Sequence, residues 1–185
     1  MSCKYKFNEK EGMYFITATV VDWIDVFTRD IYRDILLNSF RFCQKNQGLM
    51  VHAWVLMPNH FHMICSFLKS HDPGLVIKNI KSFTAIRLID AIINNPHESR
   101  KEWMLDLFEK NGKANKSNHR FQFWQHENHP VLLNTKEIFD IRFNYLHNNP
   151  VKAGFVREPQ DWQYGSALDY YTTSEKGLLE LVRLD

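Results

Sequence analysis

The sequence predicts an α+β domain built as a ferredoxin-like split β-α-β, with a central antiparallel sheet. Two observations carry that expectation. Strand-like and helix-like segments follow one another in the order β-α-β-β-α-(β), and two strand-like runs flank a Pro58-Asn59 break that suits a tight antiparallel hairpin.

The elements follow in chain order. Residues 13–21 (MYFITATVV) are rich in β-branched and aromatic types and read as the first strand. Asp30 is placed to cap a helix from about Ile31 to Gln47, with Ile35, Leu36, Phe40 and Cys43 on one side and Gly48 as its stop. Residues 49–56 (LMVHAWVL) and 60–67 (HFHMICSF) are the second and third strands. A helix from Leu75 to Ile93 and a shorter one over 98–110 come next. The polar, basic stretch 111–120 (NGKANKSNHR) reads as an exposed, mobile loop, and Phe121 to Gln125 as a short strand. Asn134-Thr135-Lys136-Glu137 resembles a capping box opening a helix that Pro150 stops. The run LLELVRL is a last strand-like segment. One domain over 1–185 is expected, with 157–185 as a C-terminal extension.

Composition narrows the classes. The 185 residues are enough to bury a core, and 44% hydrophobic with 24% charged residues is ordinary for a globular protein. Cys3, Cys43 and Cys65 show no Cys-x-x-Cys spacing and read as reduced thiols, which with no apolar leader and no run of transmembrane length gives a soluble cytoplasmic expectation. The net charge is only +2, but residues 76–125 hold nine Lys/Arg against five Asp/Glu. That basic middle permits a phosphate-backbone partner without requiring one.

The chemistry-bearing stretch is Met57-Pro58-Asn59-His60-Phe61-His62-Met63-Ile64. In a strand, residues i and i+2 share a face, so His60 and His62 project together while Phe61 turns away. The parity of Phe61, Met63, Cys65 and Phe67 reads as the core face, leaving the imidazoles on a more polar one. Two parallel imidazoles are half of a divalent-metal site; two histidines on a solvated sheet face are the plain alternative. In the helix from Thr135 to Asn149, Ile138, Phe139, Ile141, Phe143 and Leu146 define an apolar arc that also contains Arg142, Tyr145 and Asn149. Polar groups on a buried face need polar partners. A core tyrosine, with Asn149 merely ending the helix, reads equally well from the helix alone.

The MPNHFHM stretch, Trp124-Gln125, and the run Tyr145-Leu146-His147-Asn148-Asn149-Pro150-Val151-Lys152-Ala153-Gly154 together resemble the single-tyrosine HUH transposases, most closely their REP-associated tyrosine transposase branch. The resemblance spans about Tyr14 to Tyr171. It implies the histidines on a central strand and a catalytic tyrosine, Tyr145, on a C-terminal helix. It also implies His60, His62 and Asn149 as ligands of Mg²⁺ or Mn²⁺; histidine ligands favour Mn²⁺ in raw affinity. The implied reaction cleaves and rejoins single-stranded DNA near hairpins through a 5′-phosphotyrosine link. Arg142 and Lys152 are candidate phosphate contacts, a salt bridge being the alternative for Arg142. Lys78, Lys81 and Arg87 are candidates for a DNA path or simply a solvated helix face. Trp124 and Gln125 match a family pair that could touch DNA, with a core tryptophan the better single reading of Trp124. His126 and His129 are a weaker suggestion of a second metal site.

The implied partner is hairpin-bearing single-stranded DNA, with no membrane, in a prokaryotic cytoplasm and at the nucleoid. Both a homodimer and a monomer fit the superfamily. Two rival functions are a domesticated, catalytically inactive hairpin-DNA-binding protein and a metal-dependent nuclease that uses water.

Overall fold

In the computed structural model the described residues are 7, 9–114, 120–126, 130–172 and 177–183. Four strands, β1 (Tyr14–Thr19), β2 (Leu49–Leu56), β3 (His60–Phe67) and β4 (Val131–Leu132), form one sheet in the order β2-β3-β1-β4. Every pairing is antiparallel. This is the split β-α-β arrangement that the element order predicts, with β3 at the centre.

The helices pack by residue type. α1 (Asp30–Asn46) buries Tyr32, Leu36, Leu37, Phe40 and Cys43. Its chain reversal needs Gly48: φ is +65° there, and an added Cβ would stand 2.6 Å from the His71 ring. α2 (Pro73–Asn94) starts at Asp72, whose carboxylate accepts the Leu75 amide at 2.9 Å, with Pro73 in the first turn where no amide hydrogen is needed. α3 (Lys101–Ala114) follows. All three contribute to one core with Ile16, Phe61, Met63, Cys65 and Phe67, the β3 parity expected to face inward.

Four local expectations are corrected. Asp30 does not cap α1: Arg29 holds the cap position, and the Asp30 carboxylate instead meets Arg33 at 2.7 Å and the Tyr164 hydroxyl at 2.8 Å. Residues 111–114 of the expected loop continue α3, with Asn111 bonded to Asp22 at 2.7 Å; residues 115–119 lie outside the described set. The stretch 121–125 makes only a bridge, Trp124 to Val20, because its Phe123 and Trp124 side chains both turn into the core. Sequence patterning missed β4, whose two residues are too few to show alternation.

The second sheet face is covered as well. α4 (Lys136–His147) lies across it, and Phe15, Ala53, Val55, Met57, Ile64 and Leu146 form a second core with Phe139, Phe143, Trp162 and Tyr170. The C-terminal stretch completes this cover. Leu56 donates to the Tyr164 carbonyl at 2.8 Å and Ser166 donates to the Trp54 carbonyl at 2.9 Å, so residues 164–166 dress the outer edge of β2. α6 (Ala167–Tyr171) follows, and Val182 donates to Val51 at 2.8 Å. Residues 177–183 cross that edge without forming the expected strand; Leu184 lies outside the described residues. Among the described residues, no helix is long and apolar enough to cross a membrane.

Candidate active site

The two histidines sit at the start of β3, and strand register decides their neighbours. His62 stands opposite Thr17 on β1, and Thr17 Oγ1 lies 2.8 Å from His62 Nδ1. Phe15 stacks on the same imidazole at 5.1 Å between centroids. His60 is one pleat further on, 4.8 Å from His62 ring to ring. Its Nδ1 lies 2.7 Å from Asn59 Oδ1. Asn59 Nδ2 donates to Asp25 at 2.7 Å, which fixes the amide so that its oxygen faces His60. An amide oxygen only accepts, so His60 carries its proton on Nδ1 and its Nε2 keeps a lone pair.

Electrostatics leave both rings neutral. Burial pulls His60 down to about 4, against the upward pull of the Asn149 carboxamide and of the Asp25 charge. Burial takes His62 to about 3, helped by repulsion from His60 and Arg142. Neutral imidazoles offer lone pairs rather than charges.

The nucleophile candidate reaches this spot from α4. Thr135 caps the helix by accepting the Ile138 amide at 3.3 Å. Phe139, Phe143, Leu146 and His147 point at the sheet. His147 Nε2 lies 2.8 Å from Ser166 Oγ, which also accepts the Trp54 amide at 2.8 Å. That contact joins α4, the C-terminal stretch and β2. Tyr145 is left 37% exposed, its ring 5.2 Å from His62 and 6.0 Å from Phe15. Ile141 is not part of the buried arc; it is 65% exposed.

The helix does not run on to Asn149 as expected. It ends at His147, and Asn149 opens α5 (Asn149–Lys152), with Pro150 in its first turn. Pro150 has no amide hydrogen to continue α4. The new turn brings the Asn149 side chain near enough to His60 to act on its titration. Lys152 Nζ lies 5.7 Å from the centre of the Tyr145 ring, and the Arg142 guanidinium 5.2 Å from that of Phe15. Among the described residues neither cation forms an ion pair.

These residues suit a divalent ion. His62 Nε2 is buried with no hydrogen-bond partner, an atom whose desolvation is otherwise uncompensated. The His60 ring lies 4.8 Å from that of His62, and the Asn149 side chain acts on His60. Among the described residues no three His, Cys, Asp or Glu converge, so the set would be two imidazoles and an amide.

Other sequence candidates lie elsewhere. α2 packs on the opposite sheet face, and its Lys78 and Arg87 are exposed there. Lys81 donates to the Gln125 carbonyl at 2.8 Å, and burial lowers its ammonium to about 8. The Gln125 backbone amide donates to Thr19. Trp124 is 4% exposed, donates from Nε1 to Thr84 Oγ1 at 3.1 Å and stacks on Phe27. A ring so committed offers no face to a base: of the two readings, Trp124 is the core tryptophan and not the DNA contact. His126 lines a surface hollow with Asp22, Asn111 and Gln125, and His129 is outside the described residues.

Sequence reading missed Thr17, Asp25 and Asn59. Asn59 read only as a turn residue; its place directly before His60 was the available signal. Thr17 and Asp25 become visible only through strand register and the fold of the loop after β1.

Comparison with known proteins identifies the family and the fold. The model of the family described as "Transposase IS200 like" matches residues 12–111. The chain belongs to the IS200-like transposase family. It is 25% identical over 164 residues to a Haemophilus influenzae protein provisionally named a REP-associated tyrosine transposase, covering 85% of this chain and 80% of that one. Its fold matches a solved REP-associated tyrosine transposase bound to a REP hairpin, with a TM-score of 0.65 at 17% identity over 96% of this chain and 90% of the other.

Proposed function

We propose that this chain is a metal-dependent single-tyrosine transposase that cleaves and rejoins single-stranded DNA near hairpins. The observation that carries the reading is the approach of Tyr145 to His62, 5.2 Å between rings, within one chain. The hairpin preference is taken from the relative whose solved structure holds a REP hairpin.

Tyr145 Oη attacks the scissile phosphorus. The Oη–P bond forms as the bond from phosphorus to the 3′ oxygen breaks; the phenol proton leaves and the departing oxygen takes one up. The products are a 5′-phosphotyrosine and a free 3′-hydroxyl, and attack by a 3′-hydroxyl reverses the step. A Mg²⁺ or Mn²⁺ ion held by His60, His62 and Asn149 would polarise the phosphate and neutralise its charge. Phenol is a weak nucleophile near neutrality, so Lys152, close to the ring, favours the developing phenolate. Arg142 and Lys152, unpaired with carboxylates, bind phosphate oxygens. His147 and Ser166 hold α4 so that the phenol stays in place. The phosphotyrosine conserves the phosphodiester, so rejoining needs no nucleotide hydrolysis.

A labelled hairpin-bearing single strand with Mn²⁺, resolved on a denaturing gel, tests the reading. The expected product is a covalent protein–DNA adduct. Cleaved strand without adduct supports a hydrolytic nuclease, and binding without cleavage supports a domesticated hairpin binder.

A further inference from the structure

Beside the histidines, the chain holds an exposed aromatic ring by means of an unfavourable backbone. Trp23 is 58% exposed, and its ring lies 5.6 Å from His60, edge to face. It closes a 3-10 turn (Val21–Trp23) in which Asp22 and Trp23 have φ of +52° and +55°. Two successive non-glycine residues in the left-handed region are strained. Isolated exposed apolar residues are common and need no explanation. A bulky residue held out of the core by two strained positions is different.

The turn is also fixed on three sides. Val20 donates to the Asn59 carbonyl at 2.8 Å, next to His60 itself. Val21 donates to the Phe123 carbonyl at 2.9 Å, and Asn111 donates to the Asp22 carboxylate at 2.7 Å. Trp23 is therefore a rigid ring at the edge of the site. The order of contacts is Trp23 to His60, His60 to His62, and His62 to Tyr145. The indole meets the centre through His60 and the phenol meets it through His62.

We propose that Trp23 is the stacking platform for one unpaired nucleobase next to the phosphate presented to Tyr145. This deepens the proposed function and rests on it. A single strand crossing the site exposes unstacked bases beside its reacting phosphate, and an exposed indole meets any base through its π face. A platform on a strained turn stays in place without the strand and loses little conformational freedom on binding. Trp23 thus supplies grip and registers the strand; it does not touch the phosphate.

The test uses the full chain carrying Tyr145→Phe, so that binding is read without cleavage. The probe is a hairpin strand with single-stranded flanks in which 2-aminopurine replaces one flanking base at a time. Trp23→Gly suits the left-handed backbone, so it is expected to raise the melting temperature while weakening binding about 5- to 150-fold. Trp23→Phe keeps an aromatic face and is expected to retain most of the affinity. Quenching at one flanking position should vanish in Trp23→Gly. A glycine variant that binds as tightly as its parent, or quenching unchanged at every position, overturns the assignment and leaves DNA binding standing. Failure of the parent to bind the strand at all overturns this assignment together with the reading beneath it.

Discussion

The Thr17 hydroxyl lies 2.8 Å from His62 Nδ1, across the β1–β3 pairing that sets the two residues opposite each other. The contact leaves the other ring nitrogen, Nε2, buried and without a partner. One hydrogen bond from a neighbouring strand thereby prepares an imidazole for a ligand. Partners of this kind typically change metal affinity 10–100-fold. Thr17→Val is expected to weaken Mn²⁺ binding by about that factor, read by isothermal titration, while His62→Ala removes it. Unchanged affinity in Thr17→Val would mean that Thr17 only packs.

Arg142 and Lys152 form no ion pair among the described residues and flank the exposed phenol. Each is expected to neutralise one phosphate. Replacing either by Ala should weaken single-strand binding and reduce the slope of log affinity against log salt by about one. Lys78→Ala and Arg87→Ala, on the opposite sheet face, should leave the slope unchanged. A loss of slope in the α2 variants instead would place the DNA path on the other side.

Ser166 serves three groups at once: the Trp54 amide, the Trp54 carbonyl and His147 Nε2. Ser166→Ala leaves buried polar atoms unpaired, a loss of about 1–3 kcal/mol. Urea unfolding should record it. Adduct formation should slow as well, because His147 lies two residues from Tyr145 on the same helix.

Glu98 is buried between Arg29 at 2.9 Å and Arg100 at 3.1 Å, with the Tyr32 hydroxyl donating at 3.2 Å. Burial pushes its carboxyl up, but hydrogen bonds and charge from Arg100 and Arg29 outweigh this and hold it at about 2. A carboxyl depressed in the fold contributes stability above its unfolded value of 4.5, lost as pH falls toward 2. The contribution is on the order of 2 kcal/mol, discounted because both arginines are partly exposed. Glu98→Gln should lower the melting temperature at pH 7 and flatten its decline between pH 5 and 2. An acid profile identical to the parent would remove Glu98 from the account.

Much of this was legible in the residues. β2 and β3 announce themselves by composition and the Pro58-Asn59 break, and His60 and His62 share a face by strand period alone. Tyr145 and Asn149 are four apart in sequence, which suggested one helix face; Pro150 instead starts a new turn, and the two residues still converge on the histidines. What stayed hidden depends on long-range packing. Strand parity marks the second sheet face as the more polar one and does not reveal that α4 covers it. β4 is too short to carry a pattern. Asp22 is of a type that tolerates the left-handed region, but Trp23 gives no sign of it.

The central claim is that Tyr145 becomes covalently joined to DNA. The most direct measurement incubates the full chain with Mn²⁺ and a hairpin-bearing single strand, digests the product with protease and maps the nucleotide-carrying peptide by mass spectrometry. The account predicts a phosphodiester-linked nucleotide on Tyr145, and no adduct with Tyr145→Phe although that variant still binds the strand. Adduct on another residue, or cleavage undiminished in Tyr145→Phe, would contradict it.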